Sequence, residues 1–317
     1  MKLKQFLWLI GIVILAVLFL KLDLSSMAKI ISGISWQYFL LAILTIPFIA
    51  LLRGYRYQLT IKAVSLSYPL KNSVHDYLLG MGVGALTPGR IGNFIRVPIL
   101  KKAVKTTTER ALVAVFMDNI LDILLLSFVG GIGIIILFIK WQVALLSLEW
   151  LITGLFLFLL ALFSYLFRAS LFRRFEHILE KATIIIPQKY RSGLKGRVKE
   201  LHQMFKEMEK HIAAIAWAFI VNLMNWVFVT LAGFFIARSL GLDITVLFVF
   251  AVISISAFVA ALPISIFGLG TREATIIAIF SLVEIPAEFG LAFSLLVALI
   301  TAWSLAFLGA LTLLKKS

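Results

Sequence analysis

Ala85-Leu86-Thr87-Pro88-Gly89-Arg90-Ile91-Gly92-Asn93-Phe94-Ile95-Arg96 interrupts a run of apolar sequence, and Ala261-Leu262-Pro263-Ile264-Ser265-Ile266-Phe267-Gly268-Leu269-Gly270-Thr271-Arg272-Glu273 interrupts another. Each has Ala-Leu, then a proline, two glycines and an arginine. Proline and glycine break helices, and arginine is costly in hydrocarbon. A chain in a bilayer keeps irregular backbone only where it is buried in protein or lines a polar cavity. Broken helices at matching places in two halves point to a transporter's binding site.

The surrounding chain is membrane protein. Hydrophobic residues make up 62% of the 317, charged residues only 14%, and the mean hydropathy is +1.06. Ordinary soluble domains carry about 25% charge. Several apolar stretches reach the roughly 20 helical residues that a bilayer requires. Phe6 to Leu20 follows Lys2 and Lys4 but lacks a small-residue cleavage site, so it reads as a retained first span rather than a signal peptide. Cysteine is absent, which excludes disulfides and thiolate metal sites.

The net charge of +15 is unevenly placed. Residues 53–110 carry Arg53, Arg56, Lys62, Lys71, Arg90, Arg96, Lys101, Lys102, Lys105 and Arg110 against Asp76 and Glu109. Residues 168–210 hold a second basic cluster. The positive-inside rule puts both on the cytoplasmic side of a cell membrane, together with both termini. Such clusters also suit anionic lipid headgroups. The expected spans are Phe6–Leu20, Gln37–Leu52, Ala111–Ile139, Ala144–Phe167, Ile212–Ile236 and Gly290–Leu314. Two hairpins complete the set, Val74–Leu86 returning through Ile91–Leu100 and Ile244–Leu262 returning through Glu273 to Val283. The segment 168–210 reads as a basic amphipathic surface segment.

The expected fold is thus all-α: one polytopic membrane domain, residues 1–317, of about seven to eight membrane helices including two re-entrant hairpins. Tentative halves 1–167 and 211–317 are joined by 168–210. The unit of second span, first break and Ala111–Ile139 reappears about 175 residues later with opposite direction. That is the pattern of an inverted-topology repeat.

Leu52-Arg53-Gly54-Tyr55-Arg56, Leu86 to Asn93 with Arg96, and Leu262-Pro263 through Gly268 to Glu273 resemble the membrane region of the lysylphosphatidylglycerol synthase and flippase-like integral membrane family. The resemblance covers nearly the whole chain. It implies a polytopic protein that moves, or helps to move, a lipid across the bilayer. The bifunctional synthases of that family carry a soluble aminoacyl-transferase domain after the membrane part. This sequence stops at Ser317, soon after its last span, so the resemblance implies no synthase activity.

The residues lead the same way. Arg90, Arg96 and Asn93 flank the first break, and Arg272 and Glu273 open a helix after the second. A helix N-terminus with a guanidinium can hold a phosphate, as in an anionic phospholipid or a polyprenyl-phosphate-linked lipid. Pro88, Gly89, Gly92, Pro263, Gly268 and Gly270 would shape the cavity. Asp118 and Asp122 lie four apart on one helical face, about 20 Å deep, so they need partners or protons. Arg90 and Arg272 are the expected partners, while Arg96 is expected nearer the surface. The expected substrate-binding set is therefore Arg90, Arg96, Asn93, Asp118, Asp122, Arg272 and Glu273. Asn222 and Asn225 suit hydrogen bonds between helices. His75-Asp76 is a weaker candidate for proton relay. No phosphate loop, His-Glu-x-x-His or Gly-x-Ser-x-Gly motif occurs, so no catalytic residue, cofactor or nucleic-acid partner is expected. An accessory protein of an envelope lipid or glycan pathway, or an intramembrane lipid-modifying enzyme, is the alternative. The orientation has a direct test. A cysteine placed at Gln188 should react with an impermeant thiol reagent only after cells are opened; labelling of intact cells would reverse the topology.

Overall fold

The computed structural model describes residues 2–85, 87–141, 207, 210–262, 265 and 268–314, with side chains left out at 2–10, 24, 88–90, 141 and 312–314. The expected span Ala144–Phe167 and nearly all of segment 168–210 lie outside the described residues. Every described element is helical. In chain order they are α1 (Lys2–Lys21), α2 (Leu24–Ser32), α3 (Trp36–Ala63), α4 (Leu70–Ala85), a 3-10 stretch (Pro88–Ile95), α5 (Arg96–Val104), α6 (Thr108–Trp141), α7 (Ile212–Ser239), α8 (Val246–Ala261), α9 (Thr271–Ser281), α10 (Ala287–Ala298), a π-helical turn (Leu299–Trp303) and α11 (Ser304–Leu314). Among the described residues, four helical stretches are long and apolar enough to cross a bilayer: α3, α6, α7 and the run from Ala287 to Leu311.

Local chemistry sets the ends of these helices. Asp23 caps α2 by accepting from Ser25 N at 2.9 Å, and Thr245 caps α8 by accepting from Phe248 N at 3.3 Å. Lys105 closes α5 in the left-handed region, its N–H bonded to Lys101 O. Three boundaries differ from the sequence reading. α3 does not stop at Leu52 but continues to Ala63, carrying Arg53 and Arg56 inside the protein. Charge at Arg53 and Arg56 reads in sequence as the end of a span, whereas buried partners hold it within one. The first break is not bare backbone but a 3-10 stretch leading directly into α5. The last span changes to π geometry at Leu299–Trp303, a feature with no Pro or Gly to announce it.

Packing pairs the elements reciprocally. α3 lies along α7. α4 packs on α11, and α8 packs on α6. Thus the broken helix of each unit lies against the last helix of the other. α1 reaches across to α9, with Gly11 against the backbone of Gly270. The main core runs between α3, α6, α7, α8, α9 and α10, with Phe248, Phe280 and Phe293 stacked in series.

The α4–α11 seam is the tightest of these. Gly309 lies against the Leu78 carbonyl, and a Cβ at Gly82 would come within 2.9 Å of the Ala306 carbonyl. Without a hydrophobic force between helices in lipid, such close approach carries the association. Gly309→Val should therefore destabilise the protein by about 1–3 kcal/mol, as overpacking does. The melting temperature in detergent would report it, and an unchanged value would place the seam elsewhere.

Candidate functional site

The first break is held by the side chains around it. Thr87 Oγ1 accepts from Gly92 N at 2.7 Å and donates to Gly84 O at 3.1 Å. Asn93 packs on Gly84, where any Cβ would collide with its amide, and donates to Asn119 Oδ1 on α6 at 3.3 Å. The 3-10 path delivers Arg96 to the interior instead of the surface.

Arg96 is 1% exposed. Its Nη1 donates to Asp118 Oδ2 at 2.7 Å and its Nε to Asn93 O at 3.1 Å. The guanidinium lies over the rings of Tyr57, at 4.6 Å, and Tyr77, at 5.1 Å. Arg56 approaches Asp118 from α3. Its Nε donates to Asp118 Oδ1 at 2.8 Å, and its Nη1 to Asp122 Oδ1 at 2.5 Å and Asn222 Oδ1 at 2.9 Å. Its Nη2 reaches the Tyr77 hydroxyl at 3.3 Å. Asp118 thus receives one arginine on each oxygen, and five helices are tied together by one carboxylate and its neighbours. Asp118 pairs with Arg56 and Arg96 and Asp122 with Arg56, while Arg272 pairs with Glu273, which corrects the expected pairing of the aspartates with Arg272. Helical continuity of Arg53-x-x-Arg56 into the span was the missed signal. The side chain of Arg90 lies outside those described, as do those of Pro88 and Gly89.

The second break has its own internal anion. Gly268 and Gly270 take φ of +76° and +81°, a backbone that only glycine adopts without strain. Pro263 lies outside the described residues. Thr271 Oγ1 donates to Gly268 O at 3.2 Å and meets Ser265 Oγ at 2.9 Å. Glu273, fully buried, accepts from Gly270 N at 2.6 Å and Ser294 Oγ at 3.2 Å. Arg272 donates to the same carboxylate through Nη2 at 2.7 Å and Nε at 3.2 Å. Arg272 N is taken by Gly268 O at 3.0 Å. The helix start expected to receive an external phosphate thus already carries a carboxylate, Glu273, which takes the Gly270 N–H and lies at the positive end of the helix dipole.

Both breaks open on one cavity of about 400 Å³. Its polar wall includes Asn93 and Asn119, Asp122, Asn225, Ser265, Arg272 and Thr301, together with Arg53. Arg53 donates to Asn225 Oδ1 at 3.3 Å, to Thr301 O at 3.2 Å and to Met81 Sδ at 3.5 Å. The Thr301 carbonyl belongs to the π-helical turn. Asn222 and Asn225 do bond between helices, each to an arginine of α3. Of the expected set, Asn93, Asp122 and Arg272 reach the cavity, whereas Arg96, Asp118 and Glu273 are structural pairs behind it. Phe116 and Ile123 on α6 line the cavity and are also exposed on the outer surface.

Removing one partner of a buried pair leaves an uncompensated charge and costs about 3–5 kcal/mol. Asp118→Asn should cause a loss of that order, and Arg96→Gln combined with it should cost less than the sum. Additive losses in detergent unfolding would make the two residues independent.

Comparison with known proteins matches this architecture from one end to the other. The model of the lysylphosphatidylglycerol synthase TM region matches residues 7–309, from α1 into α11. A UPF0104 membrane protein of Pyrococcus horikoshii is 24% identical over 328 aligned residues, covering 99% of this chain and 97% of the relative. A UPF0104 membrane protein of Methanothermobacter thermautotrophicus is 22% identical over 309, covering 95% and 91%. With both breaks, the buried arginine cluster and the cavity inside the matched range, this chain belongs to the lysylphosphatidylglycerol synthase TM region family.

Proposed function

We propose that the chain is a lipid translocase of the cell membrane, moving an anionic phospholipid or polyprenyl-phosphate-linked lipid by alternating exposure of the shared cavity. The observation that carries this reading is that two separate helix breaks, about 175 residues apart in sequence, wall one cavity whose mainly apolar lining includes Arg53, Arg272, Asp122 and several amides. The reciprocal packing of α4 on α11 and α8 on α6, around the α3–α7 pair, supports an inverted repeat. In such a repeat, rocking of one unit against the other exposes a fixed site to each side in turn. Arg53 and Arg272 are the phosphate contacts of this proposal, replacing Arg90 and Arg96. Asn93, Asn119 and Asn225 supply neutral hydrogen bonds, and the rim at Phe116 and Ile123 lets a hydrocarbon tail stay in lipid. Both termini face the cytoplasm in this reading, from the basic bias alone.

The test is reconstitution into liposomes containing a labelled anionic phospholipid whose outer-leaflet copies are chemically quenched. Wild-type protein should make the inner-leaflet copies accessible without altering the lipid. Arg53→Gln should slow movement by about ten- to a hundred-fold, the equivalent of a lost charge-assisted contact of about 1.5–3 kcal/mol. Arg272→Lys should retain part of the rate, because lysine keeps the charge and the pairing with Glu273 but loses the planar fork. A chemically altered lipid would establish an enzyme instead. Unchanged rates in both variants would remove the phosphate site from this cavity.

A further inference from the structure

Asp76 differs from the other deeply buried carboxylates among the described residues. Asp118 holds two guanidinium groups and Glu273 holds one. Asp76, only 2% exposed, touches groups with no permanent charge: the Tyr68 hydroxyl donates to its Oδ2 at 2.5 Å, and His75 Nδ1 lies 2.9 Å from its Oδ1. A carboxyl group withdrawn from water is stable either as the acid or facing a cation. Here both choices are the same proton in two places, on the Asp76 carboxyl or on the His75 imidazole. Burial, and then the hydrogen bond to Asp76, holds the Tyr68 phenol well above its ordinary value, so Tyr68 stays a donor to Asp76.

The cluster has an open end and a buried end. The His75 side chain is 30% exposed, so solvent reaches the pair there. At the buried end stands Tyr57, whose hydroxyl is enclosed and has no hydrogen-bond partner among the described residues. It sits among the charges of Arg96, Asp118 and Asp76, and Arg96 lies over its ring. An enclosed hydroxyl without a partner is costly, and calls for a reason. Tyr77, next in sequence to Asp76, accepts from Arg56 and lies under both arginines. The titratable groups set against Asp76 are His75 on its own helix, Tyr68 from the connector and Tyr57 from α3, with Arg56, Arg96 and Asp118 lying beyond Tyr57 and Tyr77. The part of α11 packed on α4, Ser304 to Leu311, has no titratable residue.

We propose that His75, Asp76 and Tyr68 form a proton-loading site, and that Tyr57 and Tyr77 couple its occupancy to the Arg56–Asp118–Arg96 cluster, making lipid movement proton-coupled; this rests on the translocation reading above. The step is balanced within the site. The His75 imidazolium gives its Nδ1 proton to Asp76 Oδ1; the N–H bond breaks, the O–H bond forms, and an ion pair becomes a neutral pair. The negative charge near Tyr57 then disappears, and Tyr57, whose ring lies under the Arg96 guanidinium, is the link from Asp76 to the Arg96–Asp118 pair. That shift biases the cluster tying α3, α5 and α6, the elements that hold one wall of the cavity.

The experiment uses the full chain in liposomes containing phosphatidylglycerol with a quenchable fluorophore on one acyl chain, and a trapped pH dye. Wild-type movement should change several-fold with pH, and the dye should report proton movement accompanying the lipid. Asp76→Asn should abolish the proton signal and flatten the profile, and Tyr57→Phe should flatten it with the protein still folded. Lipid movement at a pH-independent rate with no dye response, or a wild-type profile in Asp76→Asn, overturns the proposal. If wild-type protein moves no lipid, translocation fails, and the proton site is read separately. Acidification of the detergent-solubilised protein should produce an infrared carboxylic-acid band that loses a component in Asp76→Asn. Identical spectra overturn the site.

Discussion

The two guanidinium groups on Asp118 are the constraint on which the rest of the protein depends. Arg56 comes from α3 and Arg96 from α5, and the carboxylate comes from α6. None of the three can be buried alone, because an uncompensated charge away from water costs several kcal/mol. Each is acceptable only when the other two are in place. Asn222 of α7 and Tyr77 of α4 complete the shell. The cluster therefore specifies which helices meet and at what register, a demand that apolar packing in lipid is too unselective to make. Gly80 leaves room for it: a Cβ there would stand 2.9 Å from Arg96 Cδ.

The second unit solves the same problem with fewer parts. Arg272 and its neighbour Glu273 form an ion pair at the start of α9, and the carboxylate also caps the helix. Both solutions let irregular backbone exist inside apolar surroundings, since its donors and acceptors are met by the side chains of Thr87, Arg96, Thr271 and Glu273. The breaks are then free to serve as walls. What remains facing the cavity is a mixture of amides, hydroxyls, Asp122 and the two arginines Arg53 and Arg272. The division between charges consumed in structure and groups presented to the cavity separates the stabilising set from the candidate ligand set.

Much of this was legible in the sequence because its signals are local. A lone Pro47 in α3 or Gly130 in α6 is accommodated inside a helix, but proline and glycines clustered with polar residues, as at Pro88 to Gly92 and at Gly268 to Gly270, mark a break from local sequence. Long apolar runs must be helices in a bilayer for want of other hydrogen-bond partners, and α3, α6, α7 and the last span appear close to their expected places. The family motifs lie at the same residues. Asp118 and Asp122 were recognisable as a pair because four residues bring them to one helical face.

The partners of those aspartates were not legible, because pairing is a matter of distance between residues that are 62 and 22 positions apart in the chain. Arg56 looked like the polar end of a span and Arg96 like a surface residue; tertiary packing made both interior by supplying Asp118. Glu273 looked available to a ligand-binding helix end, and proves to be the anion already bound there. The π-helical turn at Leu299–Trp303 leaves no local mark, since its cause is the fit of that helix against neighbours, with Arg53 meeting its Thr301 carbonyl. Sequence by itself determined a helical membrane protein with two breaks and buried charge, for propensity and solvation act residue by residue. Only the tertiary structure decided which charges neutralise one another and which face the cavity, because burial and pairing exist only once distant helices share a space.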